Sequence, residues 1–215
     1  MIKKQKKQIM EKLMDFSYGL IPFRSLNTPM IVEKIIIPEG TISLFETERC
    51  YINTFKKPDF ADVKKLYMNK DVRKYLGGIR DEASTIGVLQ SMLNPSDNAF
   101  YWVIREKQTD NFIGLVYLNP HHEGIFLEVS YQLLPVWWGR GYATETVPPI
   151  IHFAFNELNQ KKLVAETQTA NKRSCRLLEK LGMQLECKVI RFGAEQAIYS
   201  IKPSHNVNSY DQFRV

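Results

Sequence analysis

The chain has 215 residues, 44% of them hydrophobic and 24% charged, with 29 Lys and Arg against 23 Asp and Glu and a net charge of +6. This composition excludes wholesale disorder and fibrous repeats. No segment approaches the roughly 18 apolar residues of a membrane span, and three cysteines without CxxC spacing argue against a disulfide framework or a zinc site. We therefore expect a cytoplasmic protein without a metal.

Residues 1–45 are predicted to be an extension. Its opening run, "MIKKQKKQIMEK", holds much of the positive excess, and apolar residues at helical spacing predict a basic amphipathic helix over about 5–17. Clustered lysines favour phosphate backbones. The run is short, however, and lacks the stacking aromatics of single-strand binders, so nucleic acid is not the expected partner. The helix is open to packing on the domain or on a second subunit of a homodimer.

Strands and helices then follow at regular intervals. "IVEKIII" (31–37) and "RCYINTF" (49–55) predict strands because they are rich in β-branched and aromatic residues. "DFADVKKLYMN" (59–69) predicts a helix with Asp59 as its N-cap, and a second helix is predicted over about 81–93.

Three successive strands are predicted at 99–106, 111–118 and 124–134, separated by short polar turns. They form an antiparallel meander. In the third strand Leu127, Val129, Tyr131 and Leu133 alternate with polar residues, so one face should join the core while Glu128, Ser130 and Gln132 could line a cleft.

The last third of the chain predicts a helix that follows the stretch 137–145 and runs to about 158, a strand at 162–169, a helix at 171–181 and strands at about 184–192 and 196–202. Pro148 and Pro149 fall inside the first of these helices. Because proline lacks an N–H donor and disfavours helical geometry at the residue before it, a break or kink is expected there. The order of elements predicts an α+β fold built on one central sheet.

The stretch "WWGRGYATE" (137–145) contains two glycines at the junction between a predicted strand and a predicted helix. The first N–H groups of a helix have no internal partners and lie at the positive end of its dipole, so they stabilise an anion. Glycine lets the backbone approach a phosphate closely, and Arg140 could add a charged donor. These residues predict a pyrophosphate cradle.

Two familiar phosphate motifs do not account for this stretch. A P-loop requires GxxxxGK[ST], which is absent, and a dinucleotide fingerprint requires a third glycine where the chain has Thr144. A glycine-rich structural turn, with Trp137 and Trp138 as core anchors, remains an alternative.

A second motif, "TANKRSCRLLEKLGM" (169–183), has Asn171 at a helix start and Gly182 as a helix stop. Together with "LEVSYQLLPVWWGRGYATE" (127–145) it resembles the GNAT superfamily of acetyl-CoA-dependent N-acetyltransferases. Within that superfamily it is most similar to the RimJ/RimL type, the ribosomal-protein N-terminal acetyltransferases. The resemblance covers about residues 46–203 and leaves out 1–45 and the tail 204–215.

The resemblance implies a splayed, mostly antiparallel sheet flanked by helices, whose third meander strand and the strand at 162–169 part to admit pantetheine. The turn at 138–143 would hold the pyrophosphate through backbone N–H groups. Trp138 stands where many members have Gln or Arg, which leaves the role of its side chain open. The implied acetyl-CoA contacts are Gln132, Leu133, Leu134, Trp138, Gly139, Arg140, Gly141, Tyr142, Ala143, Asn171 and Ser174.

The implied reaction is direct attack of an amine on the thioester, which requires a proton acceptor for the amine and a proton donor for the thiolate. By resemblance, Glu128 is the candidate base and Ser174 the candidate acid, while Asn171 would hold pantetheine or a water. Alternatively, Glu128 pairs with a nearby cation, and Asn171 and Ser174 only cap a helix. His121 and His122 could line the acceptor site or form an exposed turn pair.

The sequence thus predicts an acetyl-CoA-dependent N-acetyltransferase whose acceptor is a small-molecule amine or a peptide N-terminus. Two other classes stay open. One is a CoA-binding sensor or scaffold without catalysis, and the other is a ribosome-associated or nucleic-acid-associated protein that uses the basic N-terminus.

Overall fold

The computed structural model describes residues 36–37, 41–95 and 98–203. The helix expected at 5–17, the start of the strand expected at 31–37 and the tail 204–215 lie outside the described residues. Within the described ranges, no helix is both long enough and apolar enough to cross a membrane.

A nine-stranded mixed sheet forms the centre of the molecule, with the order β1-β2-β3-β4-β5-β6-β7-β9-β8. Neighbouring strands are antiparallel except β6 and β7. The strands predicted from residue 49 onward are confirmed, only the last two residues of the strand predicted at 31–37 are described, and β2 is a strand that the sequence did not indicate. The bounds are β1 Ile36–Ile37, β2 Thr41–Glu46, β3 Cys50–Thr54, β4 Phe100–Glu106, β5 Phe112–Pro120, β6 Leu127–Leu133, β7 Leu163–Gln168, β8 Gln184–Arg191 and β9 Ala194–Ile201.

The α-helices are α1 Phe60–Met68, α2 Lys70–Arg73, α3 Glu82–Leu93, α4 Tyr142–Asn156 and α5 Lys172–Lys180. Asp59 is the N-cap residue of α1, as predicted, but its carboxylate makes no capping hydrogen bond, because a 3-10 turn at Lys57–Asp59 runs directly into that helix. It accepts a hydrogen bond from the Lys56 N–H at 2.9 Å and pairs with Arg105 at 3.0 Å.

Two apolar clusters cover the two faces of the sheet. One packs α4 and α5 against alternate residues of β3–β7 and β9, including Leu127, Val129 and Leu133. The other packs α1 and α3 against the opposite face of β4 and β5, including Val103 and Leu115. The alternation predicted for β6 is therefore confirmed.

The sheet opens between β6 and β7. These strands pair only at Leu127 with Leu163 and at Glu128 with Val164, although β6 runs on to Leu133 and β7 to Gln168. Beyond those pairs the two strands part. The predicted splayed α+β fold is confirmed.

Helix α4 passes unbroken through Pro148 and Pro149, so the predicted break is wrong. Both rings lie at the centre of the helix, and Pro149 is buried. Because neither residue has an N–H, the carbonyls of Thr144 and Glu145 lack their usual helical donors. The packing of Val147, Ile150 and Ile151 in the core holds the helix together despite this loss.

The first turn of α4 is tied to the start of β3 by Glu145. Its carboxylate accepts hydrogen bonds from the Thr47 hydroxyl at 2.6 Å, the Arg49 backbone N–H at 2.8 Å and the Arg49 Nε at 2.7 Å. The Arg49 guanidinium also donates to the Arg140 carbonyl at 3.1 Å and lies 4.2 Å from the Tyr142 ring centre. Several charge-assisted bonds therefore fix where α4 begins.

Replacing Glu145 by Ala is expected to lower the free energy of unfolding by about 1–3 kcal/mol, because several donors lose their acceptor. Urea unfolding followed by circular dichroism measures this change. The matched control is Glu48→Ala, an exposed glutamate beside Arg49. Equal effects of the two substitutions would contradict a specific role for Glu145.

Candidate functional site

The loop from β6 to α4 has the backbone geometry of a tight turn. Gly139 has a φ of 75° and Gly141, the N-cap of α4, a φ of 84°. This left-handed region favours glycine. A side chain at position 141 would also place its Cβ 3.4 Å from the Arg49 guanidinium.

The backbone N–H groups of residues 139–144 are available to a ligand. Within the described part of the chain these six groups donate no hydrogen bond, and the first donor of the helix is Glu145, which bonds to the Gly141 carbonyl at 3.0 Å. Residues 139–141 are exposed. A row of N–H groups at the positive end of a fifteen-residue helix can bind an anion.

The tryptophans before the glycines anchor this loop. The Trp137 indole N–H donates to the Phe112 carbonyl at 3.0 Å, and that of Trp138 donates to the Leu133 carbonyl at 2.7 Å. The anchoring role considered as an alternative is therefore present, and it leaves the glycine N–H groups untouched. Since the indole N–H of Trp138 is already used, this side chain has no polar hydrogen to offer a ligand.

Helix α5 begins beside the same loop. Asn171 is its N-cap and accepts a hydrogen bond from the Ser174 backbone N–H at 3.3 Å. The Arg173 guanidinium lies 5.3 Å from the Trp138 ring centre, so it adds positive charge near the start of α4. Arg173 is not among the residues predicted from the sequence, although its signal there is a basic residue in the first turn of a helix, where the dipole disfavours it.

The Ser174 hydroxyl is 2.8 Å from the hydroxyl of Tyr131 on β6. This contact bridges the opening between β6 and the segment that follows β7. Burial raises the pKa of Tyr131 to about 12, so its phenol stays protonated at neutral pH. The two hydroxyls form a short donor chain on the helix α5 side of the sheet.

Other residues predicted to contact acetyl-CoA lie along the end of β6. Leu133 is buried in the core, and the Leu134 N–H donates to the Ile113 carbonyl at 2.9 Å. Gln132 is buried on the polar face of β6, where its amide donates to the Tyr117 hydroxyl at 3.4 Å and its Oε1 has no hydrogen-bond partner among the described residues. Tyr142, also predicted, is buried and donates to Glu106 at 2.6 Å, whereas Ala143 is half-buried.

Glu128 lies on the opposite face of the sheet from Ser174. Its carboxylate accepts a hydrogen bond from the Ser130 hydroxyl at 3.1 Å. Burial raises the pKa of Glu128, against an opposing effect of His121. No described cation forms a salt bridge with it, so the pairing considered as an alternative is not observed.

A cluster of His121, His122 and Glu166 borders this face. His121 is 4% exposed, unlike an exposed turn residue, and its Nε2 is 2.9 Å from Glu166. His122 Nδ1 is 3.6 Å from the same carboxylate, and Arg191 Nε is 3.6 Å from its other oxygen. Imidazole and carboxylate are transition-metal ligands, and the three ligand atoms lie within 4.8 Å of one another. The nearby guanidinium makes an ion-pair network a sufficient account of the cluster.

The amino-acid sequence of this chain is similar to those of known proteins. Residues 49–184 match the family model described as Acetyltransferase (GNAT) domain. The chain is 25% identical over 150 residues to the uncharacterized N-acetyltransferase YoaA of Bacillus subtilis, which covers 66% of this chain and 84% of the relative. It is 27% identical over 163 residues to the uncharacterized protein YkkB of the same organism, covering 73% of this chain and 94% of the relative.

Solved structures share the fold. An acetyltransferase (GNAT family) from Bacillus anthracis aligns with a TM-score of 0.64 at 21% identity, covering 73% of this chain and 96% of that one. A spermidine N-acetyltransferase from Vibrio cholerae in complex with CoA and spermine aligns with a TM-score of 0.63 at 17% identity, covering 71% and 95%. A ribosomal-protein-S5-alanine acetyltransferase from Vibrio fischeri aligns with a TM-score of 0.62 at 20% identity, covering 76% and 97%.

Replacing Glu128 by Gln is expected to stabilise the fold at neutral pH and to lose that advantage in acid. Because burial raises the pKa of Glu128, the folded protein holds a proton there more strongly than the unfolded chain does. The stability contributed by this group therefore falls as the pH rises through the ordinary pKa of glutamate to the raised one. Urea unfolding of both proteins between about pH 4 and about pH 8 measures the difference. A difference independent of pH would contradict this assignment.

Proposed function

The chain belongs to the GNAT acetyltransferase family and is an N-acetyltransferase, and from that premise we propose that it moves the acetyl group of acetyl-CoA to a primary amine by direct attack in a ternary complex. The observation that carries this proposal is the row of N–H groups at 139–144, which hold no hydrogen bond among the described residues. They suit a pyrophosphate at the mouth of a sheet that parts beside them.

The residues around the opening fit acetyl-CoA. The N–H groups of Gly139, Arg140, Gly141, Tyr142 and Ala143 would bind the pyrophosphate, with Arg140 and Arg173 supplying charge to phosphate. The pantetheine arm would lie between β6 and β7, along Gln132, Leu133 and Leu134. The Gln132 Oε1, which has no partner in the described part of the chain, offers an acceptor for a pantetheine amide N–H. Asn171, whose Oδ1 caps α5, would offer its remaining amide donor.

In the proposed reaction the amine nitrogen attacks the thioester carbon, and Glu128 takes the proton that the amine loses, directly or through a water. A raised pKa suits a carboxylate to this task. The tetrahedral intermediate then collapses, the C–S bond breaks, and the thiolate takes a proton from Ser174. Tyr131, 2.8 Å from Ser174, would replace that proton. The base and the acid approach the thioester from opposite faces of the sheet.

The acceptor is a small-molecule amine or a protein N-terminus. The similarity of the two motifs to the RimJ/RimL type, and of the fold to an acetyltransferase of a ribosomal protein, support a protein N-terminus. The similar fold of a spermidine acetyltransferase supports a small amine.

Replacing Gly141 by Trp is expected to weaken acetyl-CoA binding about tenfold or more, equivalent to at least about 1.4 kcal/mol, because the side chain blocks the approach to the backbone and strains a residue with positive φ. Calorimetric titration with acetyl-CoA measures this loss. Gly193→Trp is the matched control, since Gly193 also has a positive φ but lies in the β8–β9 turn. Wild-type affinity in Gly141→Trp would refute the cradle.

Replacing Ser174 by Ala is expected to lower kcat by about 100-fold, the usual size of a general-acid contribution, with little change in acetyl-CoA affinity. Tyr131→Phe should give a smaller loss because it removes only the second donor of the chain. Ser174→Thr keeps a hydroxyl and serves as the control. Steady-state kinetics combined with calorimetry separate the two effects, and unchanged turnover in Ser174→Ala would remove its role as the acid.

A further inference from the structure

Arg73, at the end of α2, is a buried guanidinium. The residue is only 6% exposed. Its Nε donates to the Gly78 carbonyl at 2.9 Å, and one terminal nitrogen donates to the Leu76 carbonyl. A guanidinium has five N–H donors, so these bonds leave about three without a partner in the described part of the chain.

No described carboxylate neutralises Arg73. Burial lowers its pKa, neighbouring Arg80 lowers it further, and the opposing influences come only from Tyr67 and Tyr117. Burying a charge without a counter-ion costs several kcal/mol, so an anionic ligand bound here would offset that cost.

Other partly buried guanidiniums of this chain do have acidic partners. Arg105 pairs with Asp59 at 3.0 Å and with Asp62 at 2.8 Å. Arg191 pairs with Glu123 at 3.0 Å. Arg73 is more deeply buried than either, yet among the described residues it donates only to carbonyls and forms no salt bridge with an acidic group. Loop anchoring accounts for its two hydrogen bonds and leaves its charge unexplained.

Arg73 lies on the same side of the sheet as Glu128. Its guanidinium is 5.5 Å from the ring centre of Tyr67 on α1, which belongs to the apolar cluster that covers this face of β4 and β5. Tyr117 on β5 interacts electrostatically with both Arg73 and Glu128. It is also the β-sheet register partner of Ser130 on β6. This face therefore presents a carboxylate on β6 and a guanidinium on α2, with tyrosine hydroxyls between them.

We propose that Arg73 binds the carboxylate of the acceptor, so that the substrates are small amino acids whose amine is directed toward Glu128. This proposal rests on the proposed N-acetyltransferase function. A guanidinium binds a carboxylate through parallel charge-assisted hydrogen bonds, which are strong where water is excluded. A polyamine would instead place a second ammonium group beside Arg73 and Arg80, where like charges repel.

The test compares matched acceptors. Glycine, β-alanine, γ-aminobutyrate and longer ω-amino acids are each paired with the corresponding ω-amino amide, and spermidine and a panel of peptides with free N-termini are assayed beside them. We expect the wild type to prefer the carboxylate over the amide by about tenfold or more in kcat/KM, the effect of about 1.4 kcal/mol of binding. The preference should peak at the chain length that spans Glu128 and Arg73.

The variant Arg73→Gln is expected to lose this preference because KM rises about tenfold more for the carboxylate than for the amide. Since the amide acceptor lacks the charge that Arg73 recognises, it reports any structural damage to the loop. Lys70→Gln, at an exposed lysine on the same helix, is the matched control. Equal losses on both acceptors, or no preference in the wild type, would overturn the proposal.

Two further outcomes distinguish failure of the Arg73 proposal from failure of the proposed N-acetyltransferase function. Acetylation of spermidine or of peptides, with no turnover of amino acids, would overturn the role of Arg73 and leave the acetyltransferase function intact. If no amine is acetylated, the carboxylate site is tested by the change in melting temperature that each ligand causes in the presence of CoA. Stabilisation by an ω-amino acid that its amide does not give, and that Arg73→Gln abolishes, would support the carboxylate site without turnover. Absence of that stabilisation would overturn it.

Discussion

The parting of β6 and β7 is the constraint on which the rest of the structure depends. Parallel strands normally continue their hydrogen-bond ladder, but here it stops after Glu128 and Val164. Backbone groups beyond that point lose their neighbour, and a slot opens in the middle of the sheet. Because β6 and β7 are parallel, the segments that follow them lead from the same open end of this slot to the N-termini of α4 and α5, so the opening and the anion-binding geometry come from one topological feature.

Contacts of its first turn and of its centre fix the position of α4. Glu145 ties its first turn to the start of β3, and the buried residues after Pro149 hold the helix against the sheet. Two prolines remove donors in this segment without breaking the helix, because the packed side chains stabilise it more than two missing backbone bonds destabilise it. The N–H groups of residues 139–144 are thereby presented on a rigid support.

The sheet separates the groups to which we assign chemistry. The hydroxyl pair of Ser174 and Tyr131 lies on the side of α5, whereas Glu128 lies on the side of α1 and α3. In the proposed reaction the amine therefore loses its proton on one face of the sheet and the thiolate gains one on the other. The proposed carboxylate site at Arg73 then extends the acceptor side away from the slot.

Much of the fold followed from the sequence by itself. Alternation in β6, the meander of β4–β6, the glycine turn before α4 and the cap of α5 are local properties of a few neighbouring residues. The tertiary structure decided what depends on distant partners: the continuity of α4 through its prolines, the hydrogen bonds of Asp59 to Lys56 and Arg105, and the burial of His121 against Glu166. It also decided that Arg73 is buried without an acid, because only the packing of α1 and its following loop on the sheet removes that charge from water. Residue type and spacing set local conformation, whereas charge and burial depend on which segments meet in space.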